Sequence, residues 1–205
     1  MRRLLIFLAT LCTAGIASDS HIEVLVSSQA IEEKVAEYAA IIDREYDGKE
    51  LTLIMVMKGS LCISADLIRH LHVPTTIEYL KASSYGENGM TAGAIRLHGL
   101  EALEIKDKHV LVVDDIFDTG KTMTTILAQL EARQPASLRS MVLLLKRVPR
   151  NTDYRPDYCL FQIENRFVIG YGLDYKERYR GLPGIYAFIN DTPPDALFLS
   201  NATKG

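Results

Sequence analysis

Apolar residues in this chain follow two rhythms. Short unbroken runs of Val, Ile and Leu read as strands buried on both faces. Between them lie segments with apolar positions every three or four residues, the spacing of a helix with one buried stripe. Ile22–Val26 is the first strand, and a helix capped by Ser27 or Ser28 carries Ile31, Val35, Tyr38 and Ile42 on one face. Leu51–Met57 is a buried strand, a helix follows near 60–71, and Pro74–Leu80 is strand again. Gly86, Gly89 and Gly93 with polar neighbours make 83–93 a mobile loop, from which Ile95–His98 returns. Val110–Val113 is the next buried run. A helix over 120–132 carries Met123, Ile126, Leu127 and Leu130 at helical spacing. Strands at 138–145, 158–163, 167–169 and 185–189 complete the series. Strands alternating with helices predict an α/β fold, a parallel sheet with helices on both faces.

The two ends depart from this pattern. Arg2-Arg3, the apolar run Leu4–Leu11 and the small residues Ala14, Gly15, Ala17 and Ser18 give residues 1–18 the three-part shape of a secretory signal. The run is short for a bilayer span. Its competing readings are a start assigned too far upstream and a disordered or helical lead. Residues 19–205 then form one domain, whose polar, proline-containing end over 190–205 is expected to fray.

Composition removes several classes. A net charge of −3, from 23 basic and 26 acidic residues, leaves no nucleic-acid footprint. Cys12, Cys62 and Cys159 are far apart, which argues against a disulfide framework or zinc site. His70 and His72 do not share a helix face.

The chemistry concentrates at 110–122, V-L-V-V-D-D-I-F-D-T-G-K-T. Asp114, Asp115 and Asp118 and a glycine turn stand at the carboxyl end of a strand, where open α/β sheets bind ligands. The helix start offers free N–H groups and a positive dipole end, Gly120 admits close approach, and Thr119 and Thr122 add hydroxyls. That is a phosphate cradle. Acids beside it repel the phosphate itself; they suit sugar hydroxyls, Mg²⁺ or proton transfer. A ribose phosphate offers that mixture. A P-loop would need glycine where Asp115 stands. A phosphorelay receiver draws its acids from separate strands. Capping alone does not call for three acids in five positions.

Met57-Lys58-Gly59-Ser60, between a strand and a helix, is a second cradle of this kind, or else a plain helix start with a surface lysine. Taken alone, Lys146 reads as a solvated strand end, Phe167 and Val168 as strand core, and Arg180 as part of a surface charge run.

D-D-I-F-D-T-G-K-T resembles the phosphoribosyl-pyrophosphate (PRPP) signature of type I phosphoribosyltransferases. V-M-K-G-S at 56–60, S-S-Y-G at 83–86, L-L-K-R at 144–147, R-F-V-I-G-Y-G-L-D-Y at 166–175 and R-Y-R-G-L-P at 178–183 follow in the order of the hypoxanthine-guanine branch, bacterial in flavour. The resemblance covers about 22–190. It implies the type I phosphoribosyltransferase fold, a mainly parallel sheet flanked by helices with a small hood. The implied activity is Mg²⁺-dependent transfer of 5-phosphoribosyl from PRPP to hypoxanthine or guanine.

It also implies roles. Asp114 and Asp115 grip the ribose, Asp118 acts as acid or base at purine N7, and Thr119, Gly120, Lys121 and Thr122 cradle the phosphate. Lys58, Gly59 and Arg180 hold pyrophosphate, with the Met57–Lys58 peptide cis. Ser84 and Tyr85 belong to a lid. Lys146 reads the 6-oxo group, Phe167 stacks on the base and Val168 reads its edge. Asp174 lies near base and metal, and Asp114, Asp115 and Asp174 are the metal candidates. Asp114 stands where many relatives have glutamate, which leaves direct against water-mediated metal contact open.

A homodimer or homotetramer is implied, with no nucleic-acid or membrane partner. PRPP as substrate places the protein in the cytoplasm; a working leader would export it. The runner-up is a PRPP-fold regulator binding nucleotide and nucleic acid with little catalysis, against which Asp118, Lys58 and Lys146 speak. An orotate-type enzyme is disfavoured by the segment 166–175.

Overall fold

The structure, a computed structural model, describes residues 21–84, 95–150 and 152–189. The leader 1–18, Cys12, Tyr85, nearly all of the loop at 83–93 and the tail 190–205 lie outside these residues. The elements in order are β1 (Ile22–Val26), α1 (Ser28–Glu45), β2 (Leu51–Met57), α2 (Leu61–His70), β3 (Thr75–Ser84), β4 (Ile95–His98), β5 (His109–Phe117), α3 (Lys121–Glu131), β6 (Ser137–Lys146), β7 (Tyr158–Ile163), β8 (Val168–Ile169) and β9 (Ile185–Phe188). Ser27 caps α1 by accepting the Ala30 N–H at 3.2 Å, as the sequence predicts.

Six strands form the central sheet in the order β4-β3-β2-β5-β6-β7, parallel except for the β3–β4 pair. Alternate residues of β5 explain its unbroken apolar run. Leu111 and Val113 face Ile31, Val35, Ile63 and Leu67 of α1 and α2. Val110 and Val112 face Met123, Ile126 and Leu130 of α3. Both faces are thus dry, and a buried side chain of this size contributes about 1.5–3 kcal/mol. β1, β9 and β8 make a separate antiparallel sheet, the hood, whose Val168, Ile185 and Ala187 join the α1–α2 core.

Two strands run past their predicted ends. β5 continues through both acids to Phe117, because its ladder with β6 persists through Asp114↔Val142 and Phe117↔Leu145. Its ladder with β2 stops at Met55↔Val113. β3 reaches Ser84 because β4 pairs with Lys81–Ser84. Hydrophobic pattern could not show either extension: Asp114 and Asp115 interrupt the apolar run of β5 although Phe117 beyond them is buried, and β3 runs on through the polar Lys81, Ser83 and Ser84.

Candidate functional site

Where β2 and β5 part company, a cleft of about 500 Å³ opens at their carboxyl ends. Four sequence-distant segments line it: Lys58 and Gly59 after β2; Ala82, Ser83 and Ile95 of β3 and β4; Asp114, Asp115, Thr119, Lys121 and Thr122 from β5 into α3; and Asp174 and Arg180 from the loop before β9. A second cavity, about 60 Å³, is formed by residues 116–123 at the start of α3 and includes Asp118 and Gly120. It shares Thr119, Lys121 and Thr122 with the cleft. Gly120 precedes the helix at φ +86°, and a Cβ there would meet Thr152 Cγ2 at 2.6 Å and Phe117 Cζ at 2.8 Å.

The two adjacent acids are unlike ordinary surface carboxylates. Asp114 is buried and accepts the Asp115 N–H at 2.9 Å. Asp115 accepts the Ile116 N–H at 2.7 Å. Burial, and then the neighbouring Asp115 charge, push the Asp114 carboxyl well above its usual range. Burial raises Asp115 too, against the pull of the Ile116 hydrogen bond. Gly59 packs directly on this pair: a Cβ there would fall 1.5 Å from Asp115 Oδ2. The Met57–Lys58 peptide is cis, as the resemblance implied. Gly172, at φ +98°, approaches from the other side; its missing Cβ would stand 2.3 Å from the Gly59 carbonyl.

The cations of the site are already engaged. Lys58 Nζ lies 3.0 Å from Glu177 Oε2. Arg180 Nη2 lies 2.7 Å from Asp174 Oδ1 and 3.1 Å from Glu177 Oε2, and Arg180 Nη1 donates to the Gly172 carbonyl at 2.7 Å. Lys146, only 13% exposed at the end of β6, stands 3.7 Å from Asp118 Oδ2. The sequence could not pair these two, which are brought together by the β5–β6 ladder.

Phe167 and Val168 do not line the cleft. Val168 is buried and pairs with Ala187 in the hood. Phe167 is 43% exposed, which rejects the core reading of its side chain. Its ring stacks on Phe188 at 6.2 Å between centroids and meets Tyr175 edge-on, leaving an aromatic surface for a flat molecule. Glu177 is a functional candidate that the sequence does not single out. Its partner Lys58 is distant in the chain, so no local signal marks it.

Among the described residues, no three His, Cys, Asp or Glu side chains converge as a ligand set. Asp174 is turned to Arg180 rather than to Asp114 and Asp115. Those two nevertheless fit a divalent cation, being hard oxygen donors that repel each other, Asp114 buried and Asp115 half-buried. No helix among the described residues is long and apolar enough to cross a membrane.

Comparison with known proteins agrees with this geometry. The profile of the phosphoribosyl transferase domain matches residues 21–176. The hypoxanthine-guanine phosphoribosyltransferase of Streptococcus pneumoniae is 37% identical over 163 residues, 80% of this chain and 91% of that protein. The hypoxanthine phosphoribosyltransferase of Haemophilus influenzae is 36% identical over 165 residues, 79% of this chain and 92% of that one. A crystal structure of the Bacillus anthracis hypoxanthine-guanine phosphoribosyltransferase superposes with a TM-score of 0.74 at 38% identity, covering 82% of this chain and 98% of that one. The Trypanosoma cruzi hypoxanthine phosphoribosyltransferase, solved as a ternary substrates complex, superposes with a TM-score of 0.76 at 36% identity over 85% of this chain and 96% of that one.

Proposed function

We propose, from the premise that this chain belongs to the phosphoribosyl transferase family, that the cleft between β2 and β5 is where PRPP meets a purine base. The chain is a purine salvage enzyme. It moves 5-phosphoribosyl from PRPP to hypoxanthine or guanine, giving IMP or GMP and pyrophosphate. The regulator reading has no counterpart in the relatives above.

The reaction breaks the bond between ribose C1 and pyrophosphate as purine N9 forms its own. The small cavity at the start of α3 suits the 5-phosphate, with main-chain donors of Thr119–Thr122 around it. Asp114 and Asp115, beside it at the end of β5, take the ribose hydroxyls. Gly59, Lys58 and Arg180 face the leaving pyrophosphate, where donors are most useful as its charge grows. Asp118 accepts the N7 proton while N9 attacks. Lys146, beside Asp118, donates to the 6-oxo oxygen; adenine offers an amino donor there and is rejected. Phe167 supplies a stacking face, Val168 a main-chain edge and Asp174 a contact near the base. Ser84, at the end of β3, and Tyr85 belong to the segment that would exclude water.

Mg²⁺, when bound with PRPP, neutralises pyrophosphate charge. Asp114 and Asp115 are the residues that would hold it; Asp174 would join on releasing Arg180. We place the enzyme in the cytoplasm with its substrate, as a homodimer or homotetramer.

One observation carries this reading: both anion-binding turns converge on a single acid pair, to the point that Gly59 has no room for a side chain. Product formation from PRPP and Mg²⁺ with hypoxanthine, guanine, xanthine and adenine tests it. IMP and GMP formation without AMP is expected. Tight PRPP binding with no nucleotide formed would return the regulator.

A further inference from the structure

A single carboxylate oxygen, Glu177 Oε2, lies 3.0 Å from Lys58 Nζ and 3.1 Å from Arg180 Nη2. Those are the two cations read above as pyrophosphate ligands, and the oxygen stands where an anionic oxygen shared by both would stand.

Glu177 is held there by a backbone that disfavours its side chain. Tyr175 and Arg178 exchange main-chain hydrogen bonds of 3.1 and 3.0 Å, closing a two-residue hairpin turn. Lys176 and Glu177 fill the turn at φ +51° and +62°. Such a turn favours Asn-Gly, because left-handed backbone crowds a Cβ. The Glu177 N–H donates to Asp174 Oδ2 at 2.8 Å and fixes the turn against the cleft wall. With 65% of its side chain exposed, the carboxylate has open solvent to swing into.

We propose that Glu177 is an internal counter-anion occupying the pyrophosphate position between Lys58 and Arg180, and that PRPP and pyrophosphate bind by displacing it. This rests on the reading of the cleft given above. Glu177 keeps the two cations neutralised between turnovers. It also competes with pyrophosphate after the chemical step, which speeds product release. The apparent dissociation constant rises by the inverse of the open fraction, so a gate closed in about 70–90% of molecules weakens pyrophosphate binding roughly 3–10-fold.

Titration calorimetry of inorganic pyrophosphate with Mg²⁺ into the full chain tests this. Glu177→Gln keeps the shape and removes the charge. It should tighten pyrophosphate binding about 3–10-fold, and the gap from the native protein should narrow with added salt because exposed pairs are screened. Lys176→Arg with Glu177→Gly keeps the charge at 176, relaxes the turn at 177 and removes the same charge as Glu177→Gln, and should give the same gain. Equal affinity for native protein and Glu177→Gln overturns the proposal. Weaker binding by Glu177→Gln also overturns it, and makes Glu177 a residue that positions the cations. A gain in the double variant alone assigns the effect to the turn, not to the counter-anion. Native protein that binds no pyrophosphate refutes the cleft reading itself, a result distinct from any of these.

Discussion

Gly59→Ala is the sharpest test of how the site is built. The new Cβ would lie 1.5 Å from Asp115 Oδ2, 2.4 Å from its Cγ and 3.1 Å from its Cβ. Ordinary contact begins at 3.4 Å, so the carboxylate must retreat by roughly 2 Å. That rotation breaks the 2.7 Å hydrogen bond from the Ile116 N–H, a loss of about 1 kcal/mol. An off-rotamer side chain adds about 0.5–1.5 kcal/mol, and pushing the loop back against α2 costs a comparable amount. The total is about 2–4 kcal/mol of stability. On the proposed reading Asp115 would also lose its reach to the ribose, and mispositioning of this size lowers turnover about 10²-fold. Urea unfolding and steady-state kinetics with PRPP and hypoxanthine measure the two effects separately. A variant within about 0.5 kcal/mol of the native protein, with unchanged kcat/KM, would refute the packing of the β2 turn on Asp115.

Three further outcomes are expected. Asp118→Asn should bind both substrates and lose about 10²–10⁴-fold in kcat, the range for removing a general acid–base; steady-state rates that match the native enzyme remove Asp118 from that role. Lys146→Ala should lower the preference for hypoxanthine over adenine, measured as the ratio of kcat/KM values; an undiminished preference means the base is read elsewhere. Asp43→Ala should cost about 1–3 kcal/mol at pH 7, since Asp43 Oδ1 accepts the N–H groups of His72 at 2.8 Å and Val73 at 3.0 Å. Burial pushes the Asp43 carboxyl up, but these bonds and His72 outweigh it, so its folded value lies below the usual 3.8. A carboxyl lowered by folding stabilises above its unfolded value and loses that contribution as pH falls through the folded one. The gap in urea midpoint between native and Asp43→Ala should therefore hold from pH 7 to about pH 5 and narrow below pH 4; a gap that widens in acid contradicts the assignment.

The strands and helices were legible because each buries a stripe or a face with its own period. Leu51–Met57 and Ile95–His98 were read to the residue. The largest errors fall at the ends of β3 and β5, where pairing carries the strand on through polar residues. The turn lining the small cavity at 116–123 was legible because it is continuous in the chain. What escaped is what only folding joins. Lys146 faces Asp118 across two neighbouring strands, and Gly172 touches Gly59 from a loop far along the sequence. Glu177 reaches Lys58 through a turn whose strained backbone its residue types do not advertise. The resemblance supplied roles for Phe167 and Val168 that the residues alone did not. The structure supports an exposed ring at Phe167 while keeping both out of the cleft lining.

The ion pairs of the site bear on substrate choice as a group. Lys58 holds Glu177, Arg180 holds Asp174 and Lys146 holds Asp118. Each of these three cations has a carboxylate of this chain as its partner, so binding exchanges one partner for another and the net gain per contact is small. A group that cannot complete the exchange then meets a large penalty. On the proposed reading, hypoxanthine would replace Asp118 on Lys146 with its 6-oxo oxygen and free the acid to take the N7 proton. Adenine can draw Asp118 away but offers Lys146 no acceptor, leaving a largely buried ammonium unpaired. An unpaired buried charge costs several kcal/mol in real proteins, more than one missing hydrogen bond between neutral groups. On that reading, selection for 6-oxopurines would come from the pairing of Lys146 with Asp118 as much as from Lys146 itself. On that argument, Lys146→Ala should accept adenine less reluctantly even though the variant gains no contact to it.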